Sequence, residues 1–175
     1  MDVLLPLIAG LFGSTALALR PPATVASVAI TLAVGAIGGA TPVPRPARAD
    51  PHGRLGWPAV TALGIAAFAA ARVLQHPVAP NLTPLAVAAT AVAGVAEELL
   101  FRRLLYGALA VYGTALAVAG SAAVFAAVHV PAYGIGALPV DLAAGLLFGW
   151  QRWASGSWTA SAVTHAAANV LQAAW

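Results

Sequence analysis

One apolar run follows another along this 175-residue chain, each long enough or nearly so to cross the ~30 Å hydrocarbon core of a bilayer. Inside a bilayer no water satisfies backbone amides and carbonyls, so a chain that enters one must bond them within its own segments. Runs such as Val3–Leu19, Ala23–Ala40 and Trp57–Leu74 are therefore expected to be helices. Charge is scarce to match: 7% of residues are charged, 61% are hydrophobic, and the mean hydropathy is +0.90. A soluble domain carries roughly 25% charged residues. The expected fold class is all-α, a polytopic membrane bundle of about six to seven transmembrane helices. The pI near 10.2 comes from arginine, with no lysine and few acids, and points to membrane topology rather than to nucleic acid. With no cysteine, disulfides, thiolate ligands and cysteine nucleophiles are excluded.

Proline, glycine and charge punctuate the runs. Arg20-Pro21-Pro22 closes the first, and the N-terminus, lacking a basic start, reads as a first span rather than a removable signal. Thr41 to Arg54 is the one polar, proline-rich loop. His76-Pro77 ends the third run, and Asn81-Leu-Thr-Pro84 opens a helix that runs to Tyr112. Gly113-Thr114 starts a helix that Pro131 is expected to stop; a short span from Pro139 to Gln151 follows. A last helix, capped by Ser157 or Thr159, runs toward Trp175. This divides the chain into residues 1–83, N-terminal transmembrane helices with the proline-rich loop, and residues 84–175, a helical core holding the chemistry. If the loop is cytoplasmic, Arg45, Arg48, Arg54, Arg102, Arg103 and Arg152 share its side, with Arg20 and Arg72 toward the other. The positive-inside rule then gives a cytoplasmic N-terminus, and the expected location is a bacterial plasma membrane, as a multi-pass protein.

Against this background the only two glutamates stand side by side, Glu97-Glu98, in mid-span. A charged side chain there costs at least ~2.5 kcal/mol, so the pair needs a reason. Arg102 lies one helical turn after Glu98 and can neutralise it. Glu97 points about 100° away, without that partner, and is the foremost candidate for chemistry. Glu97 and His129 are equally far from Gly113, so antiparallel helices turning there place them at one depth, helix against helix. The alanines and glycines between them suit such close packing. A glutamate and a histidine meeting in an apolar site can deprotonate water. His165 and Asn169, an i,i+4 pair, offer donors for an oxyanion. Taken singly, each has a plainer reading: either histidine as a hydrogen-bonded helix contact, Asn169 as structural, Asp141 as a helix N-terminal charge. Arg72 and Arg103 read as snorkelling side chains, and the tryptophans as an interfacial belt. The combination carries the catalytic reading.

Glu97-Glu98-x-x-x-Arg102, Phe125-x-x-x-His129 and His165-x-x-x-Asn169 resemble the three motifs of the CPBP intramembrane proteases, the family of the type II CAAX prenyl endopeptidases. The likeness spans roughly Pro84 to Asn169; Arg103 stands where a small residue often follows the motif arginine. The resemblance implies hydrolysis of peptide bonds within the membrane. Glu97 would be general base on a water with His129 assisting, His165 and Asn169 would stabilise the oxyanion, and Glu98 with Arg102 would support the site. No cofactor is favoured, although His129, His165 and one glutamate would also suit zinc. There is no His-Glu-x-x-His helix, so a glutamate-type mechanism is preferred to a metallo-type one. The implied substrate is a peptide or lipidated protein, taken into an apolar cavity among the last four helices that opens toward the cytoplasm. The rivals are a proton-coupled transporter, which buried Glu and His would also suit, and a proteolytically silent scaffold or immunity protein of the same fold. Neither a serine nor an aspartyl intramembrane protease has its residues here.

Overall fold

The structure, a computed structural model, describes residues 3–21, 24–44, 55–75 and 82–174. Within them run α1 (Leu4–Ala18), α2 (Val25–Ala40), α3 (Trp57–Gln75), α4 (Pro84–Tyr112), α5 (Thr114–Tyr133), α6 (Leu138–Ser155) and α7 (Trp158–Ala174). No strand occurs among the described residues. Three helices are long and apolar enough to cross a membrane, α3 over Trp57–Leu74, α4 and α5, while α1 and α2 are shorter apolar helices. The outward faces are apolar, with Leu4, Leu11, Phe12, Leu63 and Leu85 all exposed. A surface like this is solvated by lipid, not water. Arg45, Arg48, Arg54 and His76 lie outside the described residues.

Local chemistry sets the helix ends. Thr24 Oγ1 accepts from Ser27 N at 3.1 Å and Thr83 Oγ1 from Ala86 N at 3.2 Å, each capping a helix start; Pro84 follows as the first helical residue. Gly113, at φ 121°, makes the break between α4 and α5. Two expected ends differ. The helix α5 passes through Pro131 and ends at Gly134, because a proline near a C-terminus forfeits a single backbone bond. The sixth span, expected over Pro139–Gln151, extends to Ser155 and stops at the left-handed Gly156. At the other helix junction Ser157 Oγ accepts from Thr159 N at 3.2 Å.

Small residues decide which helices touch. A Cβ on Gly35 would lie 2.9 Å from Ala96 Cα, and one on Gly38 2.6 Å from the Leu99 carbonyl carbon, so α2 lies directly on α4. Gly94 brings α4 against His165 and Asn169 of α7, and a Cβ on Gly145 of α6 would lie 2.9 Å from Ala122 Cα on α5. Close contact therefore runs along α4–α7 and α5–α6. The expected tight face between α4 and α5 does not form at the glutamates; the two helices meet mainly near their shared turn. The reason is competition. Gly94 and Gly145 offer smoother grooves to α7 and α5 than the bulky Leu100, Phe101 and Leu104 of α4 offer to α5.

Arginines expected to snorkel instead bond helix ends. Arg103 Nη1 donates to Gly38 O and Thr41 O at the end of α2. Arg72 Nη2 donates to Gln172 O, 3.3 Å away near the end of α7. Both are favourable pairings of a cation with unsatisfied C-terminal carbonyls. Trp57 Nε1 donates to Thr159 Oγ1 at 2.9 Å, and buried Gln151 Nε2 donates to Val60 O and Thr164 Oγ1, both 2.9 Å, locking α3 to α6 and α7.

Candidate active site

Directly after the glutamates, α4 loosens from α-helix into a π-helical stretch over Leu99–Leu105. Such insertions are rare and cluster at functional sites, because the wider turn re-aims side chains on either side of it. Glu97 and Glu98 lie at its threshold, 4% and 0% exposed, and face different neighbours.

Glu98 looks into the bundle. Its Oε1 accepts from Arg102 Nη1 at 3.1 Å and from His165 Nδ1 at 3.0 Å. Arg102 is fully buried, and its Nη2 donates to Gly145 O at 2.9 Å. Its guanidinium carbon lies 4.6 Å from the Phe125 ring centre and 5.1 Å from that of Phe148. Rings on two helices thus shield a charge that hydrocarbon alone would not tolerate. The pairing expected from the four-residue spacing is present.

Glu97 looks into a cavity. Here the structure corrects the sequence reading: Glu97 is not without a partner, because Arg20 Nη1 donates to its Oε1 at 2.9 Å. The pairing joins residues 77 apart in the chain, and no local spacing announces it. The other oxygen, Oε2, lies 3.7 Å from His129 Nε2 and 4.0 Å from His165 Nε2. Gly113 does set Glu97 and His129 at one depth, although they meet across the cavity rather than across a helix contact.

The hydrogen bonds fix how these rings present themselves. His129 Nδ1 lies 2.7 Å from Phe125 O. A carbonyl can only accept, so Nδ1 carries a proton, and the ring turns its Nε2 to Glu97. His165 is pinned in the same sense by the Glu98 carboxylate at its Nδ1. Separations of 3.7 and 4.0 Å are too long for direct hydrogen bonds and suit a bridging water. Asn169 lies one turn beyond His165 on the same wall, where its Nδ2 donates to Thr90 O at 2.8 Å and leaves a second N–H. Asp141 is in the first turn of α6, as expected, and also lines the cavity. Among the described residues no group of three or more His, Asp and Glu is placed to hold a metal ion.

The cavity has a volume of about 1060 Å³ and a mostly aliphatic wall that includes Val28, Leu32, Leu85 and Val92. It also takes in Ser27, Leu82, Tyr133, Ala137 and Gln172, the ends of α2, α4, α5, α6 and α7 on one side of the bundle. Thr41 and Trp57, the described residues that flank the loop in sequence, lie at the opposite side. The expected opening toward the loop's side is therefore reversed. Twelve residues of α4 lie between Pro84 and Glu97, and this is the half of the helix that walls the cavity.

Fold and surface define an integral membrane protein built as a helical bundle around a buried polar centre. The family model Type II CAAX prenyl endopeptidase Rce1-like matches residues 79–171, just over half of the chain, and the chain belongs to that family. The family is one of proteases. The matched stretch holds Glu97, Glu98, Arg102, His129, His165 and Asn169 but not Arg20. No curated protein and no solved structure matches.

Proposed function

We propose that this protein is an intramembrane endopeptidase acting on membrane-associated or lipidated peptides, with residues 84–175 as its catalytic core. One observation carries the reading: a glutamate oxygen and two imidazole Nε2 atoms converge at 3.7 and 4.0 Å at the floor of an apolar cavity. A water seated there donates its protons to Glu97 Oε2 and His129 Nε2, and its own lone pair is left facing the cavity. Glu97 is the general base. It takes a proton as the water oxygen attacks the scissile carbonyl carbon. The oxygen that becomes negative is met by the Nε2–H of His165, held as an imidazolium between Glu97 and Glu98, and by the free N–H of Asn169. Glu97 then returns the proton to the departing amide nitrogen, and the C–N bond breaks to give an acid and an amine. Glu98 and Arg102 take no part in bond making; they hold His165.

The aliphatic wall supports a lipid-bearing or membrane-embedded substrate, since a polar peptide alone would leave it unsatisfied. The distribution of arginine supports a cytoplasmic N-terminus, and with it a cavity facing away from the cytoplasm. With both rings neutral the two Nε2 atoms beside a carboxylate are also zinc-type donors, and chelation separates that mechanism from the glutamate one.

The test is turnover of quenched lipidated peptides by the purified protein in liposomes, with and without a strong chelator. Wild-type turnover that survives chelation and vanishes in Glu97→Gln is the expected result. Loss on chelation with recovery by zinc would replace the mechanism with a metal-dependent one. Equal turnover in Glu97→Gln and wild type would sink it. No turnover at all would favour the scaffold or transporter readings.

A further inference from the structure

We infer that Arg20, from the turn that follows α1, is a positioning residue for the hydrolytic site: it clamps one oxygen of Glu97 and so presents the other to His129 and His165. The inference rests on the protease reading and extends it to a part of the chain outside the family match at residues 79–171.

Four observations converge. Arg20 is the one arginine among the described residues that line the cavity. Its Nη1 donates both to Glu97 Oε1 at 2.9 Å and to Thr31 Oγ1 at 3.0 Å. Thr31 spends its own hydroxyl proton on Ser27 O at 2.9 Å, so its oxygen can only accept from Arg20. Donation therefore runs outward from Arg20, one way through the Thr31 hydroxyl to the Ser27 carbonyl and the other way to the catalytic carboxylate. Finally, the arm that carries Arg20 is short and anchored. Its backbone N–H bonds Leu17 O at 3.3 Å, Pro21 follows, and α1 and α2 dock on α4 through Gly13, Gly35 and Gly38 with no room for a side chain.

The chemistry explains why a clamp is needed. A carboxylate alone in an apolar cavity rotates about its last bond, and its oxygens are equivalent. Only an external donor breaks that equivalence. A guanidinium can serve two acceptors and keep its charge where an amine would be displaced by water. The first three helices are then more than a membrane anchor, because they deliver the donor that sets the geometry of the base.

The experiment compares wild type, Arg20→Gln, Arg20→Lys and Thr31→Val as full-length protein in liposomes, with kcat and KM determined separately and thermal melting of the helices followed by circular dichroism. Misplacing a reacting group by about an ångström costs roughly 100-fold in rate, and a loss of that order is expected in kcat for Arg20→Gln, with KM within about twofold. Arg20→Lys should recover part of it, and Thr31→Val should lose less in the same sense. Wild-type kcat in Arg20→Gln would overturn the assignment. So would a loss that Arg20→Lys does not relieve and that follows the melting temperature, which would make Arg20 only a brace. A wild type without turnover would overturn the protease reading itself, and the clamp with it.

Discussion

Arg102 shows how one residue can be indispensable without reacting. It is 0% exposed, answers the charge of Glu98 and lies against the rings of Phe125 and Phe148. Removing it strands a buried carboxylate, so Arg102→Ala is expected to destabilise the bundle by about 3–5 kcal/mol. Replacing both charges is a different matter, since a neutral pair of similar shape avoids desolvation on either side. Glu98→Gln with Arg102→Met is expected to melt closer to wild type than Arg102→Ala does, measured by chemical denaturation in detergent. If the single and double variants lose the same stability, the pair is not the coupled unit its geometry suggests. At this scale the sequence was informative for pairs within a helix turn, Glu98 with Arg102 above all. It was silent on Arg20 and Glu97, whose meeting depends on three helices docking correctly.

Between elements, glycine acts as a spacer. At Gly38 an added methyl group would meet the backbone of Leu99 and Leu100 at 2.6 and 2.7 Å, and a backbone has no rotamer to yield. Gly38→Ala should push α2 off α4 and cost about 1–3 kcal/mol, and because α2 carries Thr31 it should lower turnover as well. Gly136→Ala is the control, as nothing lies within 4 Å of the new atom there. Equal melting temperatures for the two variants would count against glycine-mediated docking. The helix-level reading of the sequence missed two things. Pro131 does not end α5, since one forfeited bond near a terminus is tolerable, and the π-helical stretch over Leu99–Leu105 left no mark in composition or spacing. A π-turn is chosen by what packs around it.

For the whole molecule, the cavity lies toward the helix ends that hold Ser27, Leu82, Tyr133, Ala137 and Gln172, opposite Thr41 and Trp57. With the cytoplasmic N-terminus proposed above, the mouth faces away from the cytoplasm. The natural absence of cysteine makes the point directly testable. A single cysteine in place of Gly136, beside the mouth, should react with a membrane-impermeant maleimide added to intact cells. One in place of Gly56, at the other end, should react only after the membrane is opened. The reverse pattern would place the mouth toward the cytoplasm.

What the sequence determined alone is what short-range physics writes into it. Apolar runs impose helices because a bilayer leaves the backbone no other partner, and Gly113 and Gly156 divide those helices because only glycine adopts their backbone angles readily. The spacing of Glu97, Glu98, Arg102, His129, His165 and Asn169 was likewise legible as a constellation, down to the shared depth of Glu97 and His129. The tertiary structure alone decided which helices lie against one another, which end of the bundle is hollow, and that Arg20 reaches Glu97. Those outcomes depend on groove shape and on residues far apart in the chain, summed over the whole bundle, and no window of sequence contains them.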